Sequence, residues 1–260
     1  MSDLEFKQLA YATRLVSGET RYFEQVSEWS EKRSTLLVQL EDIPYLLEAH
    51  RTRKQEPYAR DPRIQLVDYT ATTRLANACE ATANCLYAMA EIAANFANKA
   101  SAGEIPASFN RLRKKCEINS ASDIATALGD LQWYGKIREL RTEWAHYSSI
   151  FIAEDESDST IICVRAYRRQ TDRVQFQAAN SSCTVHEFVG WVRKAIATLD
   201  SFAHFLLKKY VIPTFQLDKT IICPVYDENG FPLMKDGNLI SVETISIREC
   251  LRRGGIVVEG

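Results

Sequence analysis

A run of small and apolar side chains between residues 75 and 96 constrains the fold of this chain more than any other feature. Apolar residues recur there every three or four positions, and alanine fills most of the neighbouring positions. This spacing is typical of a helix that packs along its length, and small side chains allow a second helix to approach closely. We therefore predict a long central helix over residues 64–100. Its apolar stripe consists of Leu75, Cys79, Thr82, Leu86, Met89, Ala93 and Phe96.

Helical periodicity extends over most of the first 210 residues. Further long helices are predicted over residues 19–42, 131–152 and 185–210. The first of them is expected to end before Pro44, because a proline is favoured at the first position of a new helical turn. Residues 51–63 are polar and contain prolines, which predicts a loop.

The pattern changes in two places. Residues 160–178 contain two β-branched runs around a polar turn, which predicts a hairpin inserted between helices. Beyond residue 216, strand and turn signals dominate, including an Asn-Gly and an Asp-Gly turn. We therefore predict a mainly α protein. An antiparallel helical bundle spans residues 1–215 with a β-hairpin insertion at about 160–178, and a β- and turn-rich C-terminal extension spans residues 216–260.

Composition excludes several classes of protein. Apolar residues make up 46% of the chain and charged residues 25%, so the chain is not of the disordered type. The net charge of −2 predicts no general attraction to nucleic acid, and an RNA site would need a local basic patch. No apolar run approaches the ~20 residues that cross a bilayer, so no membrane association is expected. Acidic residues at the start argue against a signal peptide, and the seven cysteines form no CxxC pair. We expect a cytoplasmic protein with free thiols.

One segment, residues 137–149, combines an apolar stripe with an unusual polar face. At 100° per residue, five large apolar side chains between Ile137 and Phe151 fall within an arc of about 80°, which is the core-facing side. The long side chain of Arg141 can swing towards either flank of the polar side. The other polar residues also share an arc of about 80°, and they are Arg138, Thr142, His146 and Ser149.

The motif Arg141-x4-His146 is preceded by Ile-Arg-Glu-Leu and followed by Tyr-Ser-Ser. It resembles the motif of the HEPN superfamily, in which a histidine follows an arginine after four to six residues. The resemblance implies a bundle of four or five helices that is usually paired into a dimer. Many members are metal-independent ribonucleases of toxin–antitoxin, abortive-infection and CRISPR-linked defence systems. The family commonly has Asn, Asp or His directly after the arginine, where this chain has Thr142.

Carried over to this chain, the resemblance makes Arg141 and His146 the catalytic residues, facing their counterparts across a homodimer cleft. Arg138, Thr142, Glu143 and Ser149 are the supporting residues. The chemistry is physically reasonable, because histidine can exchange protons near neutral pH and the arginine fork matches phosphate oxygens. The expected function is therefore RNA cleavage by 2′-OH attack at a composite site, without metal or cofactor, in a toxin or anti-phage defence setting. An antitoxin or a defence-system protein is a possible partner.

Two other interpretations remain open. The chain could be a non-catalytic HEPN-like bundle that binds a protein or a nucleotide, which the unusual Thr142 and the acidic balance favour. The polar face could also be an ordinary helix surface, on which Glu139 and Glu143 pair with the neighbouring arginines.

Two basic clusters could contact RNA phosphates, although each could equally be a solvated surface. Tyr167 and Phe176, close to the second cluster, could stack on bases or pack within the hairpin. The first cluster contains Arg111, Arg113, Lys114 and Lys115, and the second contains Arg165, Arg168 and Arg169.

Overall fold

The computed structural model describes most of the chain, and within it the protein is mainly helical, as predicted. The described residues are 23–53, 57–58, 61–65, 69–147, 150–154, 160–170, 173–178, 183–214, 216–225, 233–236 and 238–253. The α-helices are α1 (Phe23–Arg53), α2 (Tyr69–Ala100), α3 (Phe109–Ile118), α4 (Asp123–Leu128), α5 (Gln132–Tyr147), α6 (Val185–Leu206) and α7 (Ile247–Arg253). The strands are β1 (Pro57–Tyr58), β2 (Asp61–Gln65), β3 (Ile150–Glu154), β4 (Thr160–Gln170), β5 (Arg173–Ala178), β6 (Cys183–Thr184), β7 (Thr220–Pro224), β8 (Met234–Lys235), β9 (Asn238–Leu239) and β10 (Val242–Ser246).

The chain divides into two compact units, each of which contains part of α1, α2 and α6. The first unit comprises Met1–Glu31, Glu91–Ala127 and Leu199–Gly260, and it includes α3, strands β7 to β10 and α7. The second unit comprises Lys32–Ala90 and Leu128–Thr198, and it includes α5 and strands β1 to β6.

The predicted stripe of α2 is buried in both units. In the second unit, Leu75, Cys79 and Leu86 have no exposed surface, and α5 and α6 contribute further large buried side chains. In the first unit, the ring of Trp29 on α1 meets the ring of Phe96 edge-on, with centroids 6.2 Å apart. Dense packing of apolar side chains against an alanine-rich helix is the main source of stability in such a bundle.

Two predicted helix boundaries, the end of α1 and the start of α2, are wrong. Helix α1 does not end before Pro44 but continues to Arg53. Burial of Leu40, Ile43 and Leu47 on one face offsets the single backbone hydrogen bond that a proline removes. Helix α2 starts at Tyr69 rather than at residue 64, because residues 61–65 form β2 and pair with β1 within the segment predicted as a loop.

Helix α2 ends as its sequence predicts. The amide of Gly103 donates to the carbonyl of Asn98 at 2.8 Å, and the amide of Ala102 donates to the carbonyl of Lys99 at 3.3 Å. This pair of hydrogen bonds is a Schellman cap, in which Ala102 is the left-handed residue with a φ of +51°, and Gly103 follows it with a φ of +93°. The side chain of Asn98 then donates to the carbonyl of Ile105 at 2.6 Å and ties the turn to the end of the helix.

The hairpin predicted at about 160–178 is present, but it belongs to a larger sheet. Strands β4 and β5 are antiparallel, and β3 and β6 both pair with β4. The prediction of one helix over residues 131–152 is therefore wrong at its end. Helix α5 stops at Tyr147, and Phe151 pairs with Cys163 in the β3–β4 ladder. In β3, hydrogen bonds to β4 satisfy the backbone N–H and C=O groups that a longer helix would have paired within itself.

Helix α6 begins with the capping box that Thr184 and Glu187 predict. The amide of Glu187 donates to Thr184 Oγ1 at 3.1 Å, and the Thr184 amide donates to Glu187 Oε2 at 2.8 Å. The α-helical conformation ends at Leu206, before the predicted end at about residue 210, and the chain continues as a π-helical turn, Leu207–Val211.

Beyond residue 216 the described residues contain short strands, as predicted, and also the helix α7. Strand β7 pairs with β10, and β8 pairs with β9. Asp236, the first residue of the predicted Asp-Gly turn, has a φ of +51°, and Gly237 lies outside the described residues. The predicted turn at Asn229–Gly230 lies outside the described residues. Among the helices that the structure describes, none has the length and apolar character needed to cross a bilayer.

Candidate functional site

Helix α5 separates apolar from polar side chains in the way its sequence predicts. Ile137 and Leu140 are buried, and the preceding turn adds the buried rings of Trp133 and Tyr134. The side chains of Arg138, Arg141 and Thr142 are exposed. Burial of the apolar side fixes the rotation of the helix about its axis, so the polar side chains are held at the surface of the second unit.

Arg141 is held by two residues of α2. Its Nε donates a hydrogen bond to Asn84 Oδ1 at 3.1 Å, and its Cζ lies 4.2 Å from the centroid of the Tyr87 ring. The other partner of Tyr87 is Tyr134, whose ring stacks on it with centroids 5.9 Å apart and an interplanar angle of 19°. Because Tyr134 is fully buried, the surface on which the guanidinium rests is fixed by the core.

Within the described part of the chain, the two terminal nitrogens of Arg141 have no hydrogen-bond acceptor. The acceptor at Nε is a neutral amide. The guanidinium therefore keeps its charge uncompensated by these contacts, with a pair of donors in the planar geometry that matches two phosphate oxygens.

The remaining predicted residues of this motif are placed only in part. Glu143 and His146 lie in the last turns of α5, but their side chains are outside the described part, and Ser149 is outside it entirely. On the helix, His146 lies four positions after Thr142 and five after Arg141. The last described residue of α5 is Tyr147.

The basic cluster on α3 belongs to the first unit, whereas Arg141 belongs to the second. Two of its four side chains have protein partners. Arg113 forms an ion pair with Glu117 one turn later, and Lys115 Nζ donates to the carbonyl of Glu104 at 2.8 Å. Arg111 and Lys114 are exposed and form no ion pair with another described side chain. These two residues are therefore the members of the cluster that could contact phosphate.

The second basic cluster lies on β4, in the same unit as Arg141. Only the backbone of these strands is described. Arg165, Arg168 and Arg169 are opposite Ala178, Gln175 and Val174 of β5, and Tyr167 is opposite Phe176.

His50 and the described cysteines have structural surroundings. His50 is buried, and its Nδ1 lies 3.1 Å from Thr72 Oγ1. The six cysteines whose side chains are described are free thiols, as predicted, and burial raises the pKa of Cys79 to about 12. No group of three or more histidine, cysteine or acidic side chains in the described residues could hold a metal ion.

Sequence reasoning missed Asn84 and Tyr87. They precede Arg141 by 57 and 54 positions, and no local pattern states which helix will pack against α5. Only a weak pattern could have indicated these two residues: Asn84 and Tyr87 are a polar and an aromatic residue one turn apart, on a helix otherwise rich in alanine.

Comparison with known proteins gives no match, whether against family models, curated proteins or solved structures.

Proposed function

We propose that this protein is a metal-independent endoribonuclease of the HEPN type, acting as a homodimer in a toxin or anti-phage defence setting. The observation that carries the proposal is the state of Arg141. Its side chain is exposed, it is oriented by a hydrogen bond and an aromatic ring, and no described acceptor uses its terminal nitrogens. An arginine with these properties is suited to binding the phosphate of a phosphodiester.

The reaction needs a base, an acid and a cation. In the proposed mechanism, His146 of one protomer removes the proton from a ribose 2′-OH, and the 2′ oxygen attacks the adjacent phosphorus. The bond from phosphorus to the 5′ oxygen breaks, and His146 of the partner subunit protonates the leaving oxygen. Arg141 stabilises the negative charge that develops on the phosphate. The products are a 2′,3′-cyclic phosphate and a 5′-hydroxyl.

The surrounding polar face supports this role. Arg138 lies one turn before Arg141 and is exposed, so a second guanidinium could contact the same strand of RNA. Thr142 is exposed at the position that follows the arginine and could donate a hydrogen bond to a phosphate oxygen.

The test compares RNA cleavage in EDTA by the wild-type protein and by the His146→Ala and Arg141→Ala variants. We expect each variant to lose activity by a factor of roughly 10² or more, as for removal of a general acid–base residue or of a transition-state cation. His186→Ala and Arg193→Ala are matched controls, because both residues are exposed on α6 of the same unit. Both controls should cleave at the wild-type rate, and a 2′-O-methyl group at the cut nucleotide should block cleavage.

Two results would contradict the nuclease. One is equal cleavage by the wild type and His146→Ala, and the other is no cleavage by the wild type over a range of RNA substrates. If the wild type then binds RNA or a nucleotide and Arg141→Ala does not, the second function is supported. That function is a non-catalytic binding module, and it depends on the same exposed guanidinium.

A further inference from the structure

We propose that Asn84 and Tyr87 are positioning residues that hold the Arg141 guanidinium ready to bind a phosphodiester. The inference rests on the proposed function for the identity of the ligand, a single-stranded RNA. The contacts between α2 and α5 carry the rest of the argument.

The hydrogen bond from Arg141 to Asn84 determines which donors are left. A guanidinium has one Nε–H and four terminal N–H groups. With Nε bound to Asn84 Oδ1 at 3.1 Å, the plane of the group is tethered at its inner end. The two terminal nitrogens at the outer end can then engage two oxygens of one phosphate.

The ring of Tyr87 constrains the position of the guanidinium in a second direction. Cζ lies 4.2 Å above the ring centroid, which is the geometry of a cation–π contact. The ring itself cannot tilt freely, because it stacks on the buried Tyr134, and Trp133 meets Tyr134 edge-on with centroids 5.7 Å apart. The position of Arg141 is therefore coupled to the core of the second unit.

The neutral character of Asn84 separates this arrangement from an ordinary ion pair. A carboxylate at the same place would hold Arg141 equally well, but it would cancel the charge and compete with a phosphate. An amide oxygen orients the arginine and leaves its charge available. An exposed arginine otherwise samples many rotamers, and binding a ligand would have to remove that freedom. Asn84 and Tyr87 remove part of it in advance.

The test measures binding of a fluorescein-labelled 2′-O-methyl RNA oligonucleotide by fluorescence anisotropy, which separates binding from cleavage. We expect Asn84→Ala and Tyr87→Leu each to weaken binding roughly 3- to 10-fold, because the RNA must then immobilise the Arg141 side chain itself. Asn84→Asp should weaken it at least as much, because the carboxylate competes with phosphate. Tyr87→Phe retains the ring and should bind as the wild type does.

Asn77→Ala is the matched control, because Asn77 is an exposed asparagine on α2, two turns before Asn84. It should bind RNA with wild-type affinity. A merely structural role is tested by the double variant Asn84→Ala/Arg141→Ala. If Asn84 acts through Arg141, this protein binds RNA as weakly as Arg141→Ala alone, whereas independent effects would multiply. Asn84 is exposed and alanine favours helix, so the variant is expected to fold, which circular dichroism verifies.

Three results would overturn the proposal: wild-type binding by Asn84→Ala, a further loss on adding Asn84→Ala to Arg141→Ala, or no binding of the RNA by the wild-type protein. Failure of the nuclease proposal gives a different result. In that case the coupled binding losses persist with 2′-O-methyl RNA, but unmodified RNA is not cut.

Discussion

The side chain of Arg141 is held differently from two exposed lysines that pair with aspartates. Lys194 donates to Asp130 at 2.5 Å and Lys209 donates to Asp123 at 2.6 Å. Each of these contacts lowers the pKa of the aspartate, as expected where a carboxylate accepts a hydrogen bond from a cation. Arg141 has a neutral acceptor and an aromatic ring instead. An arginine that is oriented but not neutralised is a site for an anion, whereas a neutralised lysine is a surface ion pair of small energetic effect.

Glu249 carries the clearest pH dependence in the described residues. It accepts hydrogen bonds from Arg252 at 2.7 and 2.8 Å and from Arg253 at 2.9 Å, which lower its pKa to about 2. Because the pKa in the folded state lies below that in the unfolded state, the stabilising effect is present above about pH 4.5. It is lost as the pH falls towards 2.

We therefore expect Glu249→Gln to lower the melting temperature at pH 7, and the difference from the wild type to shrink between pH 5 and pH 2. Thermal unfolding followed by circular dichroism at a series of pH values measures this difference. Glu28→Gln is the control, because Glu28 is an exposed glutamate of α1 in the same unit. A difference that stays constant over the pH range would show that the two arginines do not stabilise the folded state through the charge of Glu249.

At the scale of the element, α2 shows why small side chains dominate a central helix. Ala83, Ala90, Ala93, Ala94 and Ala97 have no exposed surface, so other parts of the protein cover the helix at these positions. A larger side chain would force the neighbours apart or adopt a strained rotamer, since protein interiors are close-packed.

Ala90→Leu is accordingly expected to lower the free energy of unfolding by about 1–3 kcal/mol, the usual effect of overpacking. Ala81→Leu adds the same side chain to the same helix at an exposed position, and it should change the stability by less than about 0.5 kcal/mol. Urea denaturation of the two variants compares them directly. Equal stability of the two variants would mean that the α2 interface accommodates additional volume.

Elements that follow one local period were predictable, and those that depend on a distant partner were not. The stripe of α2 and the capping box of α6 follow from neighbouring residues, and both were predicted correctly. Strand β3 was assigned to the preceding helix, because Phe151 fits its apolar stripe as well as it fits a strand. Its pairing with Cys163, across an acidic segment, decides between the two conformations. The same limit explains Pro44, where burial of α1 outweighs a local breaker.

At the scale of the whole molecule, the sequence identified Arg141 but not the surroundings that make it useful. An exposed polar face on α5 follows from periodicity alone, and its described members, Arg138, Arg141 and Thr142, are exposed. Asn84 and Tyr87 enter the site only because α2 and α5 pack against each other in this fold, a contact between residues more than fifty positions apart. The catalytic role of the motif, the pairing of two protomers and the RNA ligand remain predictions.

The homodimer is the part of the proposal that concerns the whole assembly. If the site is composite, each active dimer needs two copies of His146, one as base and one as acid. Adding a fourfold excess of His146→Ala to the wild-type protein should then reduce the measured activity to about one-fifth, because most wild-type protomers exchange into mixed dimers. RNA cleavage measured after equilibration tests this expectation, and sedimentation velocity checks that the protein is a dimer. The same excess of His186→Ala, which is itself expected to be active, should instead raise the total activity about fivefold. Activity that is unaffected by His146→Ala in a dimer that exchanges subunits would place both functions of the histidine within one protomer.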